Sequence, residues 1–335
     1  MKLKYIDKHF VVTGTLQEMV REGRKDIPKA AGFHFRPEGA QPLPRYSIWF
    51  TDDPLIAAAL IKYATPKAKA MLTEIADKQA AARTASRAMT SDFKVPAPDG
   101  EEYLPFQLAG IEYAMGRPNT LLGDEMGLGK TIEAIGVINC QGAIVKVLVV
   151  CNATLKLNWK IELDKWLVRT GYRVEVAYAN KPFPQADVVI TNYAMLPIVC
   201  QCIELRCRKN NCKNQCVGYP GPWDRSGCPL HSETWGILVV DECHKVKNNR
   251  TLRSRAVKAI KAKQRLYLTG TPIVNRPVEL WPIISVLDPA TFSDFFPFAL
   301  RYCNARRKGS FWDFSGSSNL DELQDKLRGS IMVRR

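Results

Sequence analysis

Short β-branched and apolar runs recur through the middle of this chain: Val145–Cys151, Arg173–Tyr178, Ala186–Asn192, Trp235–Glu242 and Gln264–Gly270. Segments with helical periodicity alternate with them, such as the amphipathic stretch ending at Trp166. Runs of this kind suit strands buried on both faces, and the alternation predicts a parallel sheet sandwiched by helices, an α/β fold. In such sheets ligands bind beyond the carboxyl ends of the strands. Lys130, Asp241, Glu242 and Thr269 are all expected there.

The stretch that supplies chemistry is Leu121-Leu-Gly-Asp-Glu-Met-Gly-Leu-Gly-Lys130-Thr131. A glycine-rich loop empties into an apolar-periodic run, Ile132 to Ile138. Backbone N–H groups at such a helix start, together with the helix dipole, favour an anion. Asp124, Gly127, Leu128, Gly129, Lys130 and Thr131 are therefore read as a nucleotide-binding loop. Lys130 would reach the β- and γ-phosphates, and the Thr131 hydroxyl would hold Mg²⁺. The loop departs from G-x-x-x-x-G-K-[ST], because Asp124 stands at the first glycine position and Gly123 lies one residue early. Just upstream, Tyr103 to Met115 reads as a helix carrying Gln107. Its amide both donates and accepts, as an adenine edge requires; a solvent-facing helix glutamine is the plainer reading. Downstream, Val239-Val-Asp241-Glu242-Cys-His244 ends a strand with two carboxylates. Asp241 would hold Mg²⁺ and Glu242 would orient or deprotonate an attacking water.

At 335 residues the chain is long enough for about two domains, with no apolar run long enough to span a bilayer and no secretion signal. These features predict an intracellular protein, cytoplasmic or nucleoid-associated in a bacterium and nuclear in a eukaryote. The net charge of +15 points to a polyanionic partner, of which nucleic acid is the commonest. Nine Lys or Arg and no acid lie between Lys245 and Arg265, which fits either phosphate contact or a solvated helix face. Six of the ten cysteines fall between Cys200 and Cys228. Without a secretion signal this suggests a metal-stapled insertion, residues 200–231, rather than disulfides. Cys207, Cys212, Cys216 and Cys228 are the expected zinc ligands, with Cys202 and His231 as substitutes and an iron–sulfur cluster as the alternative.

The N-terminal part reads as a small α+β unit, with strands at His9–Thr13 and Tyr46–Thr51, a helix at Leu55–Tyr63, and a second helix running to about Met89. Ser91–Gly100, with Pro96 and Pro98, is the expected linker, so that the first domain spans 1–95 and the second 96–335. The phrases Ala31-Gly-Phe-His-Phe-Arg-Pro37 and Ile48-Trp-Phe-Thr-Asp-Asp-Pro54 resemble the HARP-type module of annealing helicases, which implies engagement of branched DNA.

The order Gly127-Leu-Gly-Lys-Thr131, Asp241-Glu-Cys-His244, Lys247-Asn248, Leu268-Thr-Gly-Thr-Pro-Ile-Val-Asn275 and Glu279-Leu-Trp281 resembles the first lobe of a Swi/Snf-type DNA translocase. Asp-Glu-Cys-His stands where that family has Asp-Glu-Ala-His, and Asn152 where a proline is usual. The resemblance implies a RecA-like lobe and a DNA-dependent ATPase that tracks on duplex DNA, with forked or branched DNA as substrate. It also implies DNA-facing roles for Thr154, Asn192, Lys245, Lys247 and Thr269. The closing Ile331-Met-Val-Arg-Arg335 is similar to the segment that joins the family's first lobe to its second. A second lobe would then be supplied in cis, if the chain is a piece of a longer one, or in trans. A lobe that binds DNA or a partner without turning over ATP is the rival expectation.

Overall fold

The computed structural model describes residues 1–6, 9–13, 26–36, 48–51, 54–199, 228–248, 251–270 and 276–335. The chain divides into two compact units, Met1–Ala82 and Arg83–Arg335.

In the first unit, β1 (Lys2–Ile6), β2 (His9–Thr13), β3 (His34–Arg36) and β4 (Ile48–Thr51) form an antiparallel sheet in the order β1-β2-β4-β3. Three helices belong with it: α1 (Ile27–Ala30), α2 (Pro54–Ala58) and the start of α3 (Pro66–Ser86). Leu3, Phe10, Val12, Phe33, Ala57, Leu60 and Leu72 make its core. The helix expected over Leu55–Tyr63 is shorter: α2 stops at Ala58 and a single 3₁₀ turn follows at Ile61–Tyr63.

The second unit is built on seven strands: β5 (Asn119–Leu122), β6 (Val147–Cys151), β7 (Val174–Val176), β8 (Val188–Asn192), β9 (Trp235–Val240), β10 (Ala262–Leu268) and β13 (Met332–Val333). Their order is β13-β5-β10-β9-β6-β8-β7, with every pairing parallel. The remaining strands, β11 (Arg306–Lys308) and β12 (Phe311–Asp313), form a separate antiparallel hairpin. Helices α4 (Pro105–Met115), α5 (Lys130–Asn139), α6 (Lys156–Trp166), α7 (Leu196–Val199), α8 (Leu252–Ala259), α9 (Trp281–Leu287), α10 (Phe295–Tyr302) and α11 (Leu320–Arg328) complete the unit.

β6 and β8 are buried at every position, the pattern of strands covered on both faces. Two hydrophobic clusters lie against the sheet, one around Ile111, Ile135, Ile138 and Trp159, the other around Tyr267, Trp281, Ile284 and Leu323. The sheet sandwiched by helices is thus as expected.

Residues 83–95 group with the second unit, not the first. Arg83 pairs with Asp325 at 2.7 Å, and the Ser86 hydroxyl donates to the Met332 carbonyl at 2.6 Å. Phe93, Val95 and Ala97 pack on the core around Ile111, so the Pro-punctuated linker is a strap laid on the sheet unit. Several elements lie outside the sequence expectations, β13 and the β11–β12 hairpin among them. The strand β13 adds beside β5, and the β11–β12 hairpin interrupts the C-terminal helices.

Candidate nucleotide site

β5 runs Leu121 and Leu122 through the core and releases the chain into the loop 123–129. α5 then begins at Lys130. Gly129 sits at the helix start with φ +76°, a left-handed conformation that costs a side chain strain. A Cβ there would also stand 2.4 Å from Gln107 Nε2. The Lys130 ammonium is held over the loop, donating to the carbonyls of Asp124 and Glu125 at 2.8 Å each. That fixes one cation at the mouth of a helix, the arrangement that suits a polyphosphate.

Gln107 lies at this loop, buried, in the first turn of α4. Its Oε1 accepts from the Leu104 N–H at 3.0 Å and its Nε2 donates to the Leu128 carbonyl at 3.2 Å. The side chain thus braces the loop as well as capping its own helix.

Asp241 and Glu242 follow β9 directly. Asp241 Oδ2 accepts from Trp159 Nε1 at 2.9 Å, and the Tyr193 hydroxyl donates to the Asp241 carbonyl at 2.5 Å. Two aromatic residues from α6 and the turn after β8 therefore clamp this acid. Burial raises the Asp241 pKa above the ordinary carboxylate range, the Trp159 hydrogen bond opposes that shift, and the charge of Glu242 adds to it. The Lys130 ammonium also lowers it, so the cation of the loop and the acid of β9 feel each other. Glu242 is one of three non-glycine residues with positive φ among those described (51°), a backbone strain at the residue expected to handle water. His244 Nδ1 is 3.1 Å from Glu242 Oε2 but off the hydrogen-bond line.

Thr269, buried at the end of β10, donates its N–H to the Leu122 carbonyl at 3.0 Å and so ties the third motif to the loop strand. Gly270 permits a closer approach still, because a Cβ there would meet Met126 Cγ at 2.6 Å. Lys130, Asp241, Glu242 and Thr269 thus all stand at the carboxyl ends of β5, β9 and β10.

The residues expected to face DNA are placed differently from one another. Thr154 is exposed in the turn after β6. The Asn192 side chain is mostly buried, its Oδ1 accepting from the N–H groups of Ala194 and Met195 at 3.0 and 3.1 Å. Lys245 is half-buried, and Lys247 pairs with Glu279 at 2.8 Å. Ala256 in α8 and Ile260 just after it are buried, whereas Leu252 is 43% exposed.

A cluster that the sequence reading missed lies under the loop. Asp124 is fully buried, and its carboxylate accepts from Arg335 twice: from the backbone N–H at 2.7 Å and from Nη2 at 2.5 Å. The same Nη2 donates to Glu133 Oε2 at 3.1 Å. Burial pushes the Glu133 pKa up to about 8, against the opposing pull of Arg335. Burial thus disfavours charge on Glu133, while Arg335 is shared between it and Asp124. Asp124 therefore serves the floor of the loop with its side chain, and the departure from a first glycine has a structural use.

Cys207, Cys212, Cys216 and Cys202 lie outside the described residues. Cys228 and His231 are both buried, with Sγ 3.2 Å from Nδ1, while His231 Nε2 lies 3.1 Å from the Ala256 carbonyl. Among the described residues no three metal-capable side chains converge.

Comparison with known proteins converges on one family. Residues 106–335 match the SNF2-related domain. The chain is 32% identical over 241 residues to the SWI/SNF-related matrix-associated actin-dependent regulator of chromatin subfamily A-like protein 1 of Xenopus tropicalis, covering 70% of this chain and 23% of that protein. It is 32% identical over 243 residues to the DNA annealing helicase and endonuclease ZRANB3 of Bos taurus, covering 69% and 20%. The chain thus spans about a quarter or less of those relatives. Among solved structures, the Sulfolobus solfataricus SWI2/SNF2 ATPase core in complex with dsDNA superposes with a TM-score of 0.52 at 24% identity, over 74% of this chain and 46% of that one; it shares the fold.

Proposed function

The chain belongs to the SNF2-related family, and from that premise we propose that it is the first RecA-like lobe of an ATP-driven translocase acting on duplex or forked DNA. The observation that carries the reading is the gathering of Lys130, Asp241 and Glu242 at adjacent strand ends, with Lys130 close enough to lower the Asp241 pKa. Lys130 and the loop N–H groups would bind the β- and γ-phosphates, while Gln107 would hold the loop and offer its free amide valences to adenine. Glu242 would orient the attacking water. Thr131 and Asp241 are hard oxygen donors of the kind Mg²⁺ takes beside phosphates, and a buried carboxylate with a raised pKa gains by facing a cation. When bound, that ion would offset charge on the phosphate oxygens.

Thr154, Asn192, Lys245, Lys247 and Thr269 are proposed as DNA-facing, Asn192 by shaping its turn. A second RecA-like lobe, in cis or in trans, would close the nucleotide site. The N-terminal unit would engage branched DNA. Such a protein would work inside the cell, in the nucleoid or nucleus; among the described residues no helix is long and apolar enough to cross a membrane.

A zinc ion held by the 200–231 insertion remains part of the proposal, with an iron–sulfur cluster as the alternative occupant. What supports it is the buried Cys228–His231 pair: a backbone carbonyl on Nε2 leaves Nδ1 with its lone pair toward the thiol, as in zinc sites.

ATP hydrolysis with and without forked DNA tests the reading, using Glu242→Gln as control. DNA-stimulated turnover that falls at least about a hundredfold in the control is expected. Lys130→Ala is expected to lose ATP binding and keep its fold. Unchanged nucleotide affinity in that variant would overturn the assignment.

A further inference from the structure

The β11–β12 hairpin has no part in the site above. It carries Arg306, Arg307 and Lys308 on one strand and Phe311 and Trp312 on the other, across a Gly309-Ser310 tip in which Gly309 takes φ +62°. Arg307 lies opposite Trp312, and Lys308 opposite Phe311. Opposed residues of an antiparallel pair share a face, so each ring has a cation beside it.

A lone two-stranded hairpin is marginal in water, yet this one is anchored. Phe314 packs against the core and against Phe295, with centroids 5.1 Å apart. Trp312 meets Phe296 edge-on at 5.0 Å, and Lys308 pairs with Asp313 at 2.7 Å. Phe311, by contrast, is 63% exposed, and among the described residues no ring packs on it. A supported hairpin whose open aromatic face carries two cations, Arg306 and Lys308, and one acid, Asp313, is built to receive something flat and anionic.

We propose that this hairpin seats an unpaired nucleic-acid strand, one base stacking on Phe311 while Arg306 and Lys308, on the same face, meet the flanking phosphates. Bases offer a π-face whatever their identity, and the backbone supplies the charge that the cations seek. Paired bases inside a duplex cannot offer that face without unstacking, so the seat selects single-stranded arms or junctions. The inference deepens the translocase reading and rests on it for the presence of such a strand.

The test is binding of the full chain to labelled oligo(dT) and, separately, to a blunt duplex at one salt concentration. Phe311→Ala is expected to weaken strand binding at least about fivefold, with duplex affinity within about twofold and the circular dichroism unchanged. Phe311→Trp is expected to restore strand binding. Arg306→Ala with Lys308→Ala should flatten the strand's log–log salt slope by about 1.4. Strand affinity unchanged in Phe311→Ala, or equal losses for strand and duplex, would overturn the proposal. A wild-type chain that binds neither ATP nor duplex, yet loses strand binding on Phe311→Ala, would sink the translocase reading and leave the hairpin's role standing.

Discussion

Arg335 illustrates how one buried residue can govern the loop that binds the ligand. Its side chain is 2% exposed and shared by two fully buried carboxylates, Asp124 under the loop and Glu133 in α5. Replacing it with Ala would leave the buried Asp124 only the backbone N–H of residue 335, a change expected to cost about 3–5 kcal/mol in a denaturation experiment. Glu133 makes a separate prediction about pH. Its pKa rises from 4.5 to about 8 on folding because burial penalises the charge. The unfolded chain therefore releases this proton near pH 4.5, whereas the folded chain keeps it until about pH 8. Below 4.5 the group costs nothing; stability then declines as pH rises toward 8, by no more than about 1.4 kcal/mol per pH unit. Glu133→Gln should flatten that decline and match or exceed the wild type at pH 8, read from melting temperatures across pH 5–8. A variant that keeps the wild-type slope would remove Glu133 as its source. None of this was visible in the sequence, because Asp124 and Arg335 are 211 positions apart and only the fold brings them together.

At the level of elements, the readable parts were those with a strong local signal. The five long strand patterns, the loop and the acids after β9 could be placed from spacing alone. β13 could not: Met332–Val333 is two residues long, and only its pairing with β5 makes it a strand. β11 reads Arg-Arg-Lys, which carries no strand pattern, and its partner is defined by the Gly309 turn. Proline and glycine around Pro96 mark a linker in the sequence, yet Val95 and Ala97 sit against the core on either side of Pro96. Two glycines separate strain from crowding. Gly129→Ala meets a braced amide at 2.4 Å and carries φ +76°, so it should cost about 1–3 kcal/mol and weaken ATP binding. Gly270→Ala crowds the side chain of Met126, which is 68% exposed and free to turn aside, and meets its backbone nitrogen only at an ordinary 3.6 Å. Its thermal stability should stay within about 0.5 kcal/mol of the wild type, as for surface changes that break no special feature. Equal losses in the two variants would mean that Met126 is held in place by something other than its own contacts.

Across the whole second unit, the basic stretch from Lys245 to Arg265 does not form one patch, because the fold carries it from one edge of the sheet to the other. Lys245 and Lys247 follow β9 at its carboxyl end, beside the nucleotide site. α8 then returns the chain, and Lys261 and Lys263 stand at the opposite edge, where β10 begins. Several of the cations are already committed to structure. Lys247 pairs with Glu279, Arg265 donates to the carbonyls of Ile260 and Ala262, and burial lowers the Lys258 pKa to about 8. If DNA lies across the carboxyl edge, as the site's position favours, charge at the two edges must differ in effect. Lys245→Ala should lower duplex affinity and reduce the log–log salt slope by about 0.9, the loss of one phosphate contact. Lys261→Ala with Lys263→Ala removes twice the charge and should leave the slope unchanged, because those ammonium groups stand at the far edge of the sheet. A slope that falls equally for both variants would show attraction by net charge alone, with no defined DNA path over the strand ends.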